Sequence, residues 1–140
     1  MTNLALSIAL QASLLTAGGH NYDQAYQKMC VTGRPLLVLV GADWCPGCRK
    51  MKNSILPEVR RKGRLQKVEY VVVNTDEERD LAGKLMHGNS IPQLILFEKV
   101  GSKWTRKQLT GAQSVDQTAS FVTRPEQAAA QPDAQPTQRQ

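Results

Sequence analysis

The sequence predicts an α/β domain with a central mixed sheet of about four strands flanked by helices. Apolar residues alternate between helical and strand-like spacing in the order helix, strand, helix, strand, helix, and then two strands joined by a tight turn lead to a last helix. One strand is apolar throughout, as strands buried on both faces of a sheet are. The 140 residues, 41% of them hydrophobic, suit one domain with its own core.

The first helix is carried by Tyr22, Ala25, Tyr26, Met29 and Cys30, spaced as one helical face. Asn21 and Gln24 form a capping-box pattern before it, and Gly33 and Pro35 stop it. Leu36 to Val40 is the apolar central strand. After Trp44 the spacing of Cys48, Met51, Ile55 and Val59 is helical again, with Pro57 expected to kink that helix or end its first part. Val68 to Asn74 reads as the second strand, and Asp76 as the N-cap of a helix running through Met86 to a stop at Gly88. Pro92 opens a third strand, Gln93 to Glu98, which turns at Gly101-Ser102 into a fourth, Lys103 to Leu109. Ser114 with Gln117 caps a final helix through Val122.

The domain is therefore expected over residues 21–123. Residues 1–20 hold an uncharged apolar run, Leu4 to Ala17, followed by small residues. This reads as a signal peptide without its usual basic start, or as an N-terminal extension. A periplasmic or otherwise exported location is expected, with a cytoplasmic one as the alternative, and the run is too short for a secure membrane span. Residues 124–140, rich in Gln, Ala and Pro, have little apolar surface to offset the entropy of ordering and read as a disordered tail.

The net charge is +6, and eight basic residues lie between Arg49 and Lys67 with Glu58 the only acid among them. Such a face suits acidic proteins or anionic surfaces, or is simply a solvated helix face. Aromatics are 5% of the chain and no base-stacking or groove-reading motif accompanies the charge, so no nucleic acid is expected as a partner.

The chemistry concentrates at Trp44-Cys45-Pro46-Gly47-Cys48. A strand running into this segment places Cys45 at a helix start, where unpaired backbone N–H groups favour a thiolate. Pro46 fits the first helical position, and Arg49, Lys50 and Lys52 add positive potential. Cys48 lies one turn on, within reach of the Cys45 sulfur, which makes Cys45 the nucleophile and Cys48 the resolving thiol. Tetrahedral zinc wants four ligands, and His20, His87 and Cys30 are scattered singletons, so neither a metal nor another cofactor is expected. A Cys-x-x-Cys between a buried strand and a helix is the setting of a redox pair.

These residues, the strand before them, and Ser90-Ile91-Pro92 about forty residues later resemble the thioredoxin superfamily, over Asn21 to Val122. The resemblance implies a thioredoxin-like fold and disulfide exchange with protein substrates. It further implies that Pro92 is cis and sits against the redox pair, that the backbone of Ile91 pairs with an extended substrate, that Trp44 shields the sulfurs and that Gly111 lies near the same surface. Trp-Cys-x-x-Cys-Arg-Lys-Met with Leu56-Pro57-Glu58-Val59 is more similar to thioredoxin-like domains of bacterial envelope proteins than to cytosolic thioredoxin. Two positions depart from thioredoxin proper: Pro46-Gly47 stands in the reverse order, and Leu39 occupies the place of a buried acid, leaving the proton acceptor for Cys48 unassigned.

Cys30 falls on the apolar face of the first helix and is expected in the core, as are Met29, Met51 and Met86. The expected activity is that of a monomeric thiol-disulfide oxidoreductase working on protein disulfides or dithiols with a redox partner protein. The alternative is a redox-inactive binding or adaptor module.

Overall fold

A computed structural model describes residues 22–123. The expectations of a leader in residues 1–20, a cap at Asn21 and a disordered tail over 124–140 lie outside the described residues. The elements follow in the order α1 (Tyr22–Thr32), β1 (Leu36–Gly41), α2 (Pro46–Lys50), a π-helical turn (Met51–Ile55), α3 (Leu56–Arg61), β2 (Glu69–Asn74), α4 (Arg79–Leu85), β3 (Gln93–Val100), β4 (Lys103–Thr110) and α5 (Val115–Val122). The sheet order is β2-β1-β3-β4. β1 pairs in parallel with β2, Val38 opposite Val71, and antiparallel with β3, Val38 opposite Ile95. β3 and β4 form the hairpin. The sheet is therefore mixed, with four strands flanked by helices, as the apolar pattern predicts.

β1 is buried at all six positions because both its faces are covered. Successive side chains point to opposite faces. Leu36, Val38 and Val40 join Ala25 and Met29 of α1, Ala82 and Leu85 of α4, and Ile95. Leu37 and Leu39 join Met51, Ile55, Leu56, Val59 and Val122 on the other side. Each fully buried side chain of this size contributes roughly 1.5–3 kcal/mol, so two apolar layers clamp the strand that leads into Cys45.

Pro57 is accommodated without breaking the helix. Its ring lacks an N–H and crowds the carbonyl four residues back, and in the turn just before it the Leu56 N–H reaches five residues back, to Met51 O. The helix widens there and then resumes as α3. Ser114 and Gln117 do form the capping box of α5.

Two expectations are corrected. Cys30 is exposed, not in the core; the buried face of α1 is Ala25 and Met29, and a helix turns by about 100° per residue, which carries position 30 out of the contact. Asp76 is not a helix cap: α4 starts at Arg79 after a turn, with Glu78 at its N-cap. Among the described residues no helix is long and apolar enough to cross a membrane.

Candidate active site

The carboxyl end of β1 delivers Ala42-Asp43-Trp44 as a tight turn closed by Cys45 N–H to Ala42 O at 3.2 Å. Cys45 is the N-cap of α2, with extended backbone angles, and Pro46 follows in the first turn. The Cys45 sulfur takes the place of an N-cap oxygen and accepts the Cys48 backbone N–H at 3.2 Å. Cys45 and Cys48 are joined in a disulfide with their Cα atoms 5.2 Å apart. With Ala42 they form a small buried cluster on which Ile91 packs.

The Ile91–Pro92 peptide is cis. The Ile91 carbonyl oxygen lies 4.0 Å from the Cys45 sulfur. Gly47 permits this approach, since a Cβ there would stand 3.3 Å from Pro92 Cδ and 3.5 Å from Ala112 Cβ. On the far side Gly111, at φ 88°, donates its N–H to Pro92 O at 2.8 Å, which ties the end of β4 to the proline.

Trp44, next to Cys45 in the chain, stays 65% exposed, its indole N–H donated to Asp76 Oδ2 at 2.9 Å. The structure thus brings Cys45, Cys48, Ile91 and Pro92 together, while Trp44 is held by Asp76 and lies outside the buried cysteine cluster. Sequence reasoning missed four supporting residues. Asp76 holds Trp44. Asn74 donates to the Asp43 carboxylate at 3.3 Å. Gly41 leaves room for Cys48, because a Cβ at position 41 would fall 2.7 Å from its sulfur. Gln93, fully buried, binds the loop before Ile91. A glycine ending an otherwise apolar strand is a readable signal for Gly41; Asp76 and Asn74 depend on contacts between distant segments, while Gln93 bonds the backbone of the loop just before it and no pattern marks that.

Behind Cys48 a pocket of about 350 Å³ opens, with Leu39, Val72 and Cys48 in its wall alongside Asp43, Asn74 and Glu78. Arg49, Lys52 and Glu77 line the same pocket, and Lys52 pairs with Asp43 at 4.0 Å, so charged side chains of both signs stand around it.

Residues 22–124 match the model of the thioredoxin-like domain. The chain belongs to this family. Its fold is similar to that of chloroplastic thioredoxin z, with TM-score 0.62 and 21% identity over 80% of this chain and 93% of that one. Trxlp of Edwardsiella tarda gives TM-score 0.60 and 25% identity over 74% of this chain and 96% of that one. A thioredoxin of Thermus thermophilus gives TM-score 0.61 and 19% identity over 74% and 82%. A thioredoxin-like domain with a close cysteine pair is consistent with a redox function.

Proposed function

We propose that the chain is a thiol-disulfide oxidoreductase that exchanges disulfides with protein substrates through Cys45 and Cys48. The observation that carries this reading is the cysteine pair itself. Its two sulfurs are bonded, Cys45 accepts a backbone N–H, and the Ile91 carbonyl lies alongside. An N–H aimed at a sulfur favours its thiolate, the reactive form.

In the reduced protein the Cys45 thiolate attacks a substrate disulfide. One S–S bond forms, one breaks, and the departing substrate sulfur leaves as a thiolate that takes up a proton. Cys48 then loses its proton and attacks the Cys45 sulfur, closing the Cys45–Cys48 disulfide and releasing the second substrate thiol. Two electrons pass from the protein to the substrate; run in reverse, the same steps oxidise a substrate dithiol. The half-buried edge at Ile91 offers backbone groups to an extended substrate chain, and Trp44 borders the approach. The apolar run Leu4 to Ala17 and the likeness to envelope domains support an exported location.

A glutathione redox titration of the full chain tests the reading. A single two-electron couple assigned to Cys45–Cys48, with turnover of a protein disulfide, is the expected result. Absence of that couple removes the enzyme and leaves the adaptor module.

A further inference from the structure

The side chain of Gln93 is a buried polar group at the start of β3. Its row on the strand continues as Ile95 and Phe97, which belong to the apolar layer against α1 and α4. An amide placed there must find partners for two N–H donors and a carbonyl. It finds all of them in one exposed loop. Gln93 Oε1 accepts His87 N–H at 3.2 Å, and Gln93 Nε2 donates to His87 O at 3.0 Å, Gly88 O at 3.3 Å and Ser90 O at 3.0 Å.

The loop has a second brace, from β4. Gln108 Nε2 donates to His87 O at 3.2 Å, and Arg106 lies 3.1 Å from His87 Nδ1 while donating to Leu85 O at 2.7 Å and Gln108 Oε1 at 2.6 Å. The residues so held, His87 to Ser90, are all exposed. Ser90 is bonded directly to Ile91. No other side chain of this size can act as both acceptor and double donor: Glu has no N–H, Met neither donates nor accepts well, and Asn is one carbon shorter.

We propose that Gln93 is a positioning residue for substrate, fixing the backbone edge at Ser90–Ile91 on which an extended protein substrate docks. Gln93 touches neither sulfur and acts through the loop. The inference rests on the proposed function, since it assumes that protein substrates pair with Ile91. It separates two kinds of reaction at one cysteine pair: a protein disulfide needs the edge, whereas dithiothreitol, which has no backbone to pair, needs only the sulfurs.

The test compares wild type with Gln93→Met in dithiothreitol-driven reduction of insulin disulfides. KM for insulin should rise about tenfold with kcat held within about twofold, the signature of lost binding rather than lost chemistry. The redox potential of the Cys45–Cys48 pair and its direct rate of reduction by dithiothreitol should not change. An unchanged KM overturns the proposal, as does a parallel fall of the insulin and dithiothreitol rates with a shifted potential, which would mark a structural role. If Gln93→Met does not fold, Gln108→Met decides: it removes one donor to His87 O, and KM should rise about threefold, an unchanged value again overturning the idea. The wild type separates this failure from that of the parent reading, because a wild type without insulin turnover and without a two-electron couple overturns both.

Discussion

The two cysteines of the pair are equally hidden, at 6% and 5% exposure, and yet sit in different surroundings. Cys45 caps a helix, accepts a backbone N–H and faces the Ile91 carbonyl at the edge where a substrate chain would lie. Cys48 is pressed against the backbone of Gly41 and backs onto the pocket that runs from Leu39 to Glu78. Exposure in the oxidised state therefore does not distinguish the two sulfurs; the groups around each do. The front, at Cys45, carries a backbone N–H and the Ile91 carbonyl, and the rear, at Cys48, carries the Gly41 backbone and a pocket lined by charged side chains of both signs.

The largest effects should come from removing either sulfur. Cys45→Ser should lose disulfide exchange to background, because the remaining thiol is the one without the Ile91 carbonyl and its edge beside it. Cys48→Ser should still attack and then stall as a mixed disulfide, the thiol that would expel the substrate being gone. Acid quenching with a thiol-blocking reagent and a non-reducing gel would show reducible adducts with Cys48→Ser alone. Adducts with Cys45→Ser instead would exchange the roles of front and rear.

Leu39→Asp sharpens the rear half of the comparison. An acid in the strand should take the Cys48 proton and speed release of mixed disulfides several-fold near neutral pH. It should also cost about 3 kcal/mol of stability, since a carboxyl replaces a Leu that is 1% exposed. Stopped-flow turnover and denaturant unfolding measure the two effects. Equal rates in a folded variant would mean that Asp43 or Glu78, through water in the pocket, already accepts the proton.

How far such surroundings could be read from the sequence depends on their range along the chain. Leu36 to Val40 announced a buried strand and Ser114 with Gln117 announced a cap, because both signals sit within a few residues. The Trp44–Asp76 and Asn74–Asp43 bonds span 32 and 31 residues, and no periodicity marks them. The sequence pattern allows a cap at Asp76, but the chain makes an extra turn before α4 and leaves its carboxylate for the indole. Gln93 lies close in the chain to every partner of its amide, in the loop from His87 to Ser90, and still carries no signal, since a glutamine that opens a strand reads the same whether its amide faces solvent or closes a loop. Cys30 stands one helical step past the buried Met29, the smallest offset periodicity can leave and enough to move a side chain from core to solvent.

Gly41→Ala probes the contact between the rear sulfur and the strand. Without relaxation the new methyl would stand 2.7 Å from the Cys48 sulfur, and accommodating it should cost about 1–3 kcal/mol. Because the clash bears on Cys48 and not on Cys45, the redox potential should shift while the first attack on a substrate keeps its rate. Denaturant unfolding, a glutathione titration and single-turnover adduct formation with Cys48→Ser as background separate these effects. An unshifted potential at full stability would show that the strand end gives way freely.

The smallest effect is expected at the third cysteine, which has neither the front nor the rear of the site around it. Cys30 lies exposed on α1, beyond the Ala25 and Met29 that bury the helix. Replacement of an exposed side chain with no cap, cavity or buried partner usually changes stability by no more than about 0.5 kcal/mol, so Cys30→Ser should fall within that margin. Its reactivity should nonetheless be visible. In the oxidised protein Cys45 and Cys48 are bonded to each other, which leaves Cys30 as the free thiol for a blocking reagent. Mass spectrometry of native oxidised protein should find the label on Cys30, and labelling there should leave the redox couple and turnover unchanged. A loss of turnover on blocking or replacing Cys30 would make it a working part of the redox cycle. A loss of more than about 1 kcal/mol would instead return it to the core that the spacing of α1 predicts.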